Sequence, residues 1–179
     1  SFFLVLFYNN WDSNSGAMNT VLTNRLGDFF LFVFFSFSYF MNFNFFTYMY
    51  ILWGPLIFLV LTAFTKSAQF PFSGWLPKAM SAPTPVSSLV HSSTLVTAGL
   101  LLLFNFSMML MNYKIMMMIF FVGLFTTFFS SLSAVVEEDM KKVVALSTLS
   151  QMGFSMVTLG LGYFMFSLVH LLSHALFKS

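Results

Sequence analysis

The sequence predicts an all-α, polytopic membrane helix bundle of about six transmembrane helices, one of them broken by proline. Three observations carry this expectation. The chain is 59% hydrophobic and only 7% charged, whereas a soluble domain averages about 25% charged. The stretches Phe29 to Thr65, Ala79 to Tyr113 and Val143 to Phe177 carry no formal charge if histidine is neutral, and each exceeds the roughly 20 residues that cross a bilayer core. Finally, Pro71, Pro77, Pro83 and Pro85 cluster with Gly74 between Phe70 and Val86, where proline disrupts helix interiors by removing a backbone donor.

The elements follow in order. Ser1 to Tyr8 reads as the end of a helix, and Asn9 to Asn19, with Trp11, Asp12 and Gly16, as a polar loop at a membrane surface. A first span runs from about Thr20 to Met41, with Arg25 and Asp28 near its start. Asn42 to Thr47 is a short turn, and a second span begins near Tyr48 and reaches Lys66. A continuous helix from Tyr48 to Met80 would be ~50 Å long, more than the core requires. An interruption near Gln69-Phe70-Pro71 is the economical reading, with a short helix over Gly74 to Met80 and Pro77 in its first turn. Broken helices are tolerated at membrane depth only beside a cavity or buried in protein. A third span covers Val86 to Phe106, a fourth Ile115 to Ala134, a fifth Val143 to Gly160, and a sixth Tyr163 to Lys178. Glu137-Glu138-Asp139 precede the fifth span, where carboxylates suit a helix N-terminus.

Bulk properties exclude several functions. The net charge of +2 is spread without a basic patch, so nucleic acid is not an expected partner. The chain has no cysteine, which removes disulfide frameworks, thiolate metal sites and cysteine-ligated iron–sulfur clusters. Electrons in any complex containing this chain are expected to move through other subunits.

The residues with chemical potential are ionisable groups inside or beside the apolar runs, because a charge in lipid costs at least ~2.5–3.5 kcal/mol. Lys66 has two readings. It is a snorkelling lysine at a helix end, or it lines a hydrated mid-membrane pocket beside Ser67, Gln69 and the proline break. In the second case burial opposes its charge and a nearby carboxylate restores it, so a moving partner would switch proton binding. His170, His174 and Lys178 are spaced i, i+4, i+8 and share one helical face. Histidine titrates near neutral pH and suits a proton relay. Bland packing and a zinc pair are the rivals, although the glutamate of HExxH is missing and no third histidine lies close. His91 precedes Ser92, Ser93 and Thr94, whose hydroxyls either bond back to helix carbonyls or order water. Arg25 and Asp28, at i, i+3, could form a boundary salt bridge. Asp139 and Lys141 read as an interfacial cluster or something more, while Lys78, Lys114 and Lys142 mark surfaces.

The stretch TKSAQFPFSGWLPKAMSAPTPVSSLVHSSTLVTAG, Thr65 to Gly99, resembles the signature of the mitochondrial NADH dehydrogenase subunit 5 family, antiporter-like subunits of respiratory complex I. The resemblance continues in NRLGDFF (Asn24 to Phe30), EDMKKVVALSTLSQMGF (Glu138 to Phe154) and HLLSHALFKS (His170 to Ser179). The abundance of Phe (28) and Met (14) agrees with the AT-rich codons of many mitochondrial genomes.

This resemblance implies a single transmembrane domain that is a central piece of a longer subunit. Residues 20–106 would end a first inverted repeat and residues 115–179 begin a second, with broken helices at mid-membrane sites. It implies a proton-relay role for Lys66 at the discontinuous helix, His91 on the next helix, Lys141 linking the halves, and His170, His174 and Lys178 on a central hydrophilic axis. Arg25 and Asp28 would be a charged pair near the intake pathway. The family's glutamate partner for Lys66 would lie just upstream of Ser1, and a second broken helix would follow Ser179. The function implied is proton translocation across the mitochondrial inner membrane, driven by electron transfer from NADH to ubiquinone. No cofactor would be bound by this chain, with NADH, FMN, iron–sulfur clusters and ubiquinone in other subunits. Its partners would be the lipid bilayer and other membrane-arm subunits, especially neighbouring antiporter-like ones. The rival is a stand-alone cation/proton antiporter, whose large subunit carries a similar stretch but usually has lysine where Thr97 stands here.

Overall fold

The computed structural model describes residues 2–40, 53–87, 94–107 and 112–178, and their regular structure is helical throughout. A one-turn α1 (Phe2–Val5) leads into α2 (Trp11–Phe40), followed by α3 (Trp53–Lys66), the short α4 (Trp75–Ala79) and the single turn α5 (Thr84–Val86). Then come α6 (Leu95–Asn105), α7 (Tyr113–Val136), α8 (Met140–Gly160) and α9 (Phe164–Lys178). Three of these, α2, α7 and α8, are long and apolar enough to cross a membrane; α3, α6 and α9 are shorter apolar helices. The expected turn at Asn42 to Thr47, the start of the second span at Tyr48 and the opening of the third around His91 lie outside the described residues.

Of the polar loop expected over Asn9 to Asn19, only Asn9 and Asn10 lie outside a helix; Trp11 to Asn19 form the first turns of α2. Asn10 N–H donates to Ser13 Oγ at 2.8 Å, and Ser13 Oγ donates back to Asn10 O at 2.7 Å. Ser13 thus does at the third helical position what glutamate does in a capping box. Asp12 sits in the first turn, where a carboxylate favours the helix dipole. Tertiary packing adds to this, because Gly16 lies against α4: a Cβ there would stand 2.6 Å from the Lys78 carbonyl oxygen. Polar composition suggested a loop; capping chemistry and a close backbone approach make a helix.

The break expected near Gln69-Phe70-Pro71 is present. The α3 helix stops at Lys66. Ala68 adopts φ +55°, and Gln69 N–H donates to Phe64 O at 2.9 Å, the long closing bond of a Schellman motif. The chain then runs through a cis Phe70–Pro71 bond and a 3₁₀ turn over Phe72–Gly74 into α4.

Small residues set the helix spacing, as expected where lipid supplies no hydrophobic drive between helices. A Cβ on Gly123 of α7 would come within 2.9 Å of Val157 N of α8, and one on Gly160 within 2.7 Å of Phe120 Cα. Likewise α6 meets α3 at Gly99, whose Cβ would stand 2.6 Å from Ala63 O. Around these contacts Leu56, Leu59, Phe64, Trp75, Leu100, Met152 and Met156 form a buried core. Hydroxyls in the apolar helices bond back to carbonyls one turn earlier, for example Thr62 Oγ1 to Leu59 O at 2.6 Å and Thr148 Oγ1 to Ala145 O at 2.6 Å. Their polarity is satisfied inside their own helices.

Gly123→Val should push α7 from α8 and destabilise the bundle by about 1–3 kcal/mol, the usual cost of overpacking. Thermal unfolding of the detergent-solubilised protein would show a lowered midpoint; an unchanged midpoint would mean the two helices are not this close.

Candidate functional site

Lys66 is the last residue of α3, so its ammonium lies at the helix end where unpaired carbonyls favour a cation. Its side chain is 28% exposed, and Nζ stands 3.2 Å from Asp28 Oδ1 of α2. The other carboxylate oxygen, Oδ2, receives Arg25 Nη1 at 3.6 Å. One carboxylate is therefore shared between two cations on opposite oxygens. Arg25 is 79% exposed, so its bond contributes little; the Lys66 pair is the better shielded of the two. The pair faces a cleft of about 920 Å³ whose polar lining is Asn24, Arg25, Asp28, Lys66 and Thr94.

Sequence reasoning treated Lys66 and the Arg25/Asp28 pair separately and looked upstream of Ser1 for a partner to Lys66. The structure brings all three together. The crossing of α2 and α3 permits this through Gly27, which abuts Thr65 Oγ1 and whose Cβ would lie 3.8 Å from Lys66 Cγ.

Just past Lys66, Gln69, expected beside a hydrated pocket, is instead fully buried in a bridge to Thr126 of α7, a residue the sequence did not single out. Thr126 Oγ1 of α7 donates to Gln69 Oε1 at 2.7 Å and to Gly123 O at 2.8 Å. A hydroxyl has one proton, so the two acceptors share it. Gln69 is fully buried, and its Nε2 lies 3.4 Å from Ser67 O. Thr126 in turn packs on α8, since a Cβ on Gly153 would stand 2.5 Å from its Oγ1. The broken segment after Lys66 is thus tied by side chains to α7 and, through it, to α8.

The second cluster lies on α9. His170, His174 and Lys178 share one face, as their spacing predicts, and α8 supplies matching polar groups. His170 Nε2 is 3.1 Å from Gln151 Oε1, and Lys178 Nζ donates to Ser147 Oγ at 2.7 Å. With Oε1 facing the ring, Nε2 is the donor of this pair. His170 Nδ1 and both ring nitrogens of His174 are shielded from solvent and have no hydrogen-bond partner among the described residues. Such atoms are costly unless water or another group completes them. A signal for Ser147 and Gln151 was available: they are i, i+4 on α8, the same step that separates His170 from His174.

Lys141 and Lys178 line a common cavity of about 270 Å³ together with Thr84, Ser87 and Thr148. Lys142, expected to mark a surface, pairs with Asp139 at 2.7 Å and lies 4.0 Å from Glu137. The hydrogen bond from Lys142, and its charge, hold the Asp139 carboxyl below the usual carboxylate range. Asp12 and Lys78 join Asp139, Lys141 and Lys142 around one cleft, a charged end of the bundle. His91 lies outside the described residues. No group of three or more His, Cys, Asp or Glu able to hold a metal occurs among the described residues.

The chain is 71% identical over 179 residues to the NADH-ubiquinone oxidoreductase chain 5 of Ascaris suum and 69% identical to that of Caenorhabditis elegans; it is covered completely in both and spans 33% and 34% of them. A chain in the solved Mrp complex from Dietzia sp. DQ12-45-1b superposes with a TM-score of 0.90 at 30% identity, covering 99% of this chain and 21% of that one. The profile of the NADH:quinone oxidoreductase/Mrp antiporter transmembrane family matches residues 1–179, and the chain belongs to that family.

Proposed function

We propose that this chain is the central part of an antiporter-like, proton-translocating subunit of mitochondrial NADH:ubiquinone oxidoreductase. The observation that carries the proposal is the Lys66–Asp28 pair at 3.2 Å, set at the end of a broken helix and open to a cleft. In water-poor surroundings a lysine can hold a proton stably while its carboxylate is near and lose it more readily when the carboxylate moves away.

The energies are commensurate. Two unit charges about 4 Å apart attract by ~4 kcal/mol at an effective dielectric near 20, and by less where water enters the cleft. Moving one charge against 100 mV requires ~2.3 kcal/mol. Making or breaking this pair is therefore large enough to gate a proton. In the proposed cycle Lys66 stores and releases the proton, with Arg25 holding the far side of Asp28. The His170–His174–Lys178 face, ordered by Gln151 and Ser147, passes it laterally. Lys141 and Lys178 bridge the halves through their shared cavity, and His91 joins the row. NADH, FMN, iron–sulfur clusters and ubiquinone act in other subunits of the complex, and the neighbours are other antiporter-like subunits in the mitochondrial inner membrane.

A stand-alone cation/proton antiporter is the second reading, supported by the likeness to the Mrp complex. The higher identity to the NADH-ubiquinone oxidoreductase chains and the threonine at Thr97 favour the first. Purification separates them: the first expects co-migration with a large flavin- and iron–sulfur-containing assembly, the second does not.

In the full-length subunit, Lys66→Ala should lower proton pumping by roughly tenfold or more while leaving assembly intact; normal stoichiometry in the assembled mutant would remove Lys66 from the relay. His170→Ala/His174→Ala should slow coupled turnover, and unchanged turnover in assembled complexes would assign this face to packing.

A further inference from the structure

We infer that Gly27 is a positioning residue for proton transfer: its missing side chain brings α2 close enough to α3 for Asp28 to reach Lys66. This rests on the reading of the Asp28–Lys66 pair as a working part of the relay.

Gly27 and Asp28 are neighbours on α2, as Thr65 and Lys66 are on α3, so the contact and the ion pair sit side by side at one helix crossing. A Cβ at position 27 would collide with Thr65 Oγ1 and come within 3.2 Å of Thr65 Cβ. Thr65 cannot swing aside cheaply. It is fully buried, and its Oγ1 is held by donation to Thr62 O at 2.9 Å. The helices must separate instead. Because the Lys66 Nζ to Asp28 Oδ1 distance is 3.2 Å, a separation near one ångström takes it past the range of a direct ion pair. The other helix-crossing glycines bring backbones together without an ion pair beside them. The backbone of Gly27 needs no left-handed conformation, so the requirement is for space alone. Thr65 is the other half of the device and has no part in carrying the proton.

The test is a set of variants of the full-length subunit in the assembled complex, with protons pumped per electron read beside NADH oxidation by an artificial acceptor. Gly27→Ala should lower the pumping ratio roughly two- to tenfold, the range by which residues without ligand contact modulate coupling, and leave the acceptor reaction unchanged. Thr65→Ala alone should pump normally. Gly27→Ala/Thr65→Ala, which removes the colliding hydroxyl, should regain most of the ratio. Gly27→Ala/Asp28→Glu, whose longer side chain spans the wider gap, should regain part of it. Normal pumping by assembled Gly27→Ala, or no recovery with Thr65→Ala, overturns the inference. Should Gly27→Ala fail to assemble, recovery of both assembly and pumping with Thr65→Ala supports the inference, and failure to recover overturns it. Lys66→Ala separates the two levels. If it pumps normally, the relay reading fails whatever Gly27 does; if it is impaired while Gly27→Ala is normal, only the role of Gly27 fails.

Discussion

The Lys66 ammonium, inside an apolar bundle, meets its counter-charge in the Asp28 carboxylate across the α2–α3 crossing. Much of the surrounding structure serves that meeting. The end of α3 places Lys66 beside unpaired carbonyls that favour a cation. Arg25 takes the opposite carboxylate oxygen, so Asp28 is oriented from both sides. Nearby hydroxyls on Thr62, Thr65 and Ser67 are occupied by carbonyls of their own helix. They add polarity without leaving unsatisfied groups in a water-poor interior.

The α9 face is built on a different plan. Here no carboxylate pairs with the basic groups among the described residues; neutral acceptors on α8 meet His170 and Lys178 instead. A neutral partner orients an imidazole or ammonium without fixing its charge, which suits the relay role proposed for this face. Between the two plans lies the Gln69–Thr126 bridge. It joins the segment after Lys66 to α7, and Gly153 lets α8 press against the same hydroxyl. The two clusters are thus held in one packed frame through α7 and α8.

Much of this was legible in the sequence. Charge-free runs gave the bundle, the prolines gave the break, and the i, i+4, i+8 step placed His170, His174 and Lys178 on one face. What escaped had a physical cause in each instance. Asn9 to Asn19 reads as a loop because composition cannot show Ser13 capping Asn10 or Gly16 touching the Lys78 carbonyl. The Asp28–Lys66 pair joins residues on separate helices, and no local pattern encodes which helices cross. Gln69 and Thr126 look like ordinary polar residues until they are found buried against each other. The stop of α3 falls at Lys66, where the second span was expected to end; the prolines forbid its continuation and the Schellman bond closes it there.

That stop has a mechanical consequence. Ala68 occupies the left-handed region, which costs an L-residue roughly 1–2 kcal/mol, although alanine is the strongest helix former. Glycine would take this conformation without cost; alanine takes it because the Gln69 amide bond to Phe64 O and the packing around a fully buried side chain hold the end of α3 in place, so the rest of the fold carries that cost and Lys66 stays the last residue of the helix.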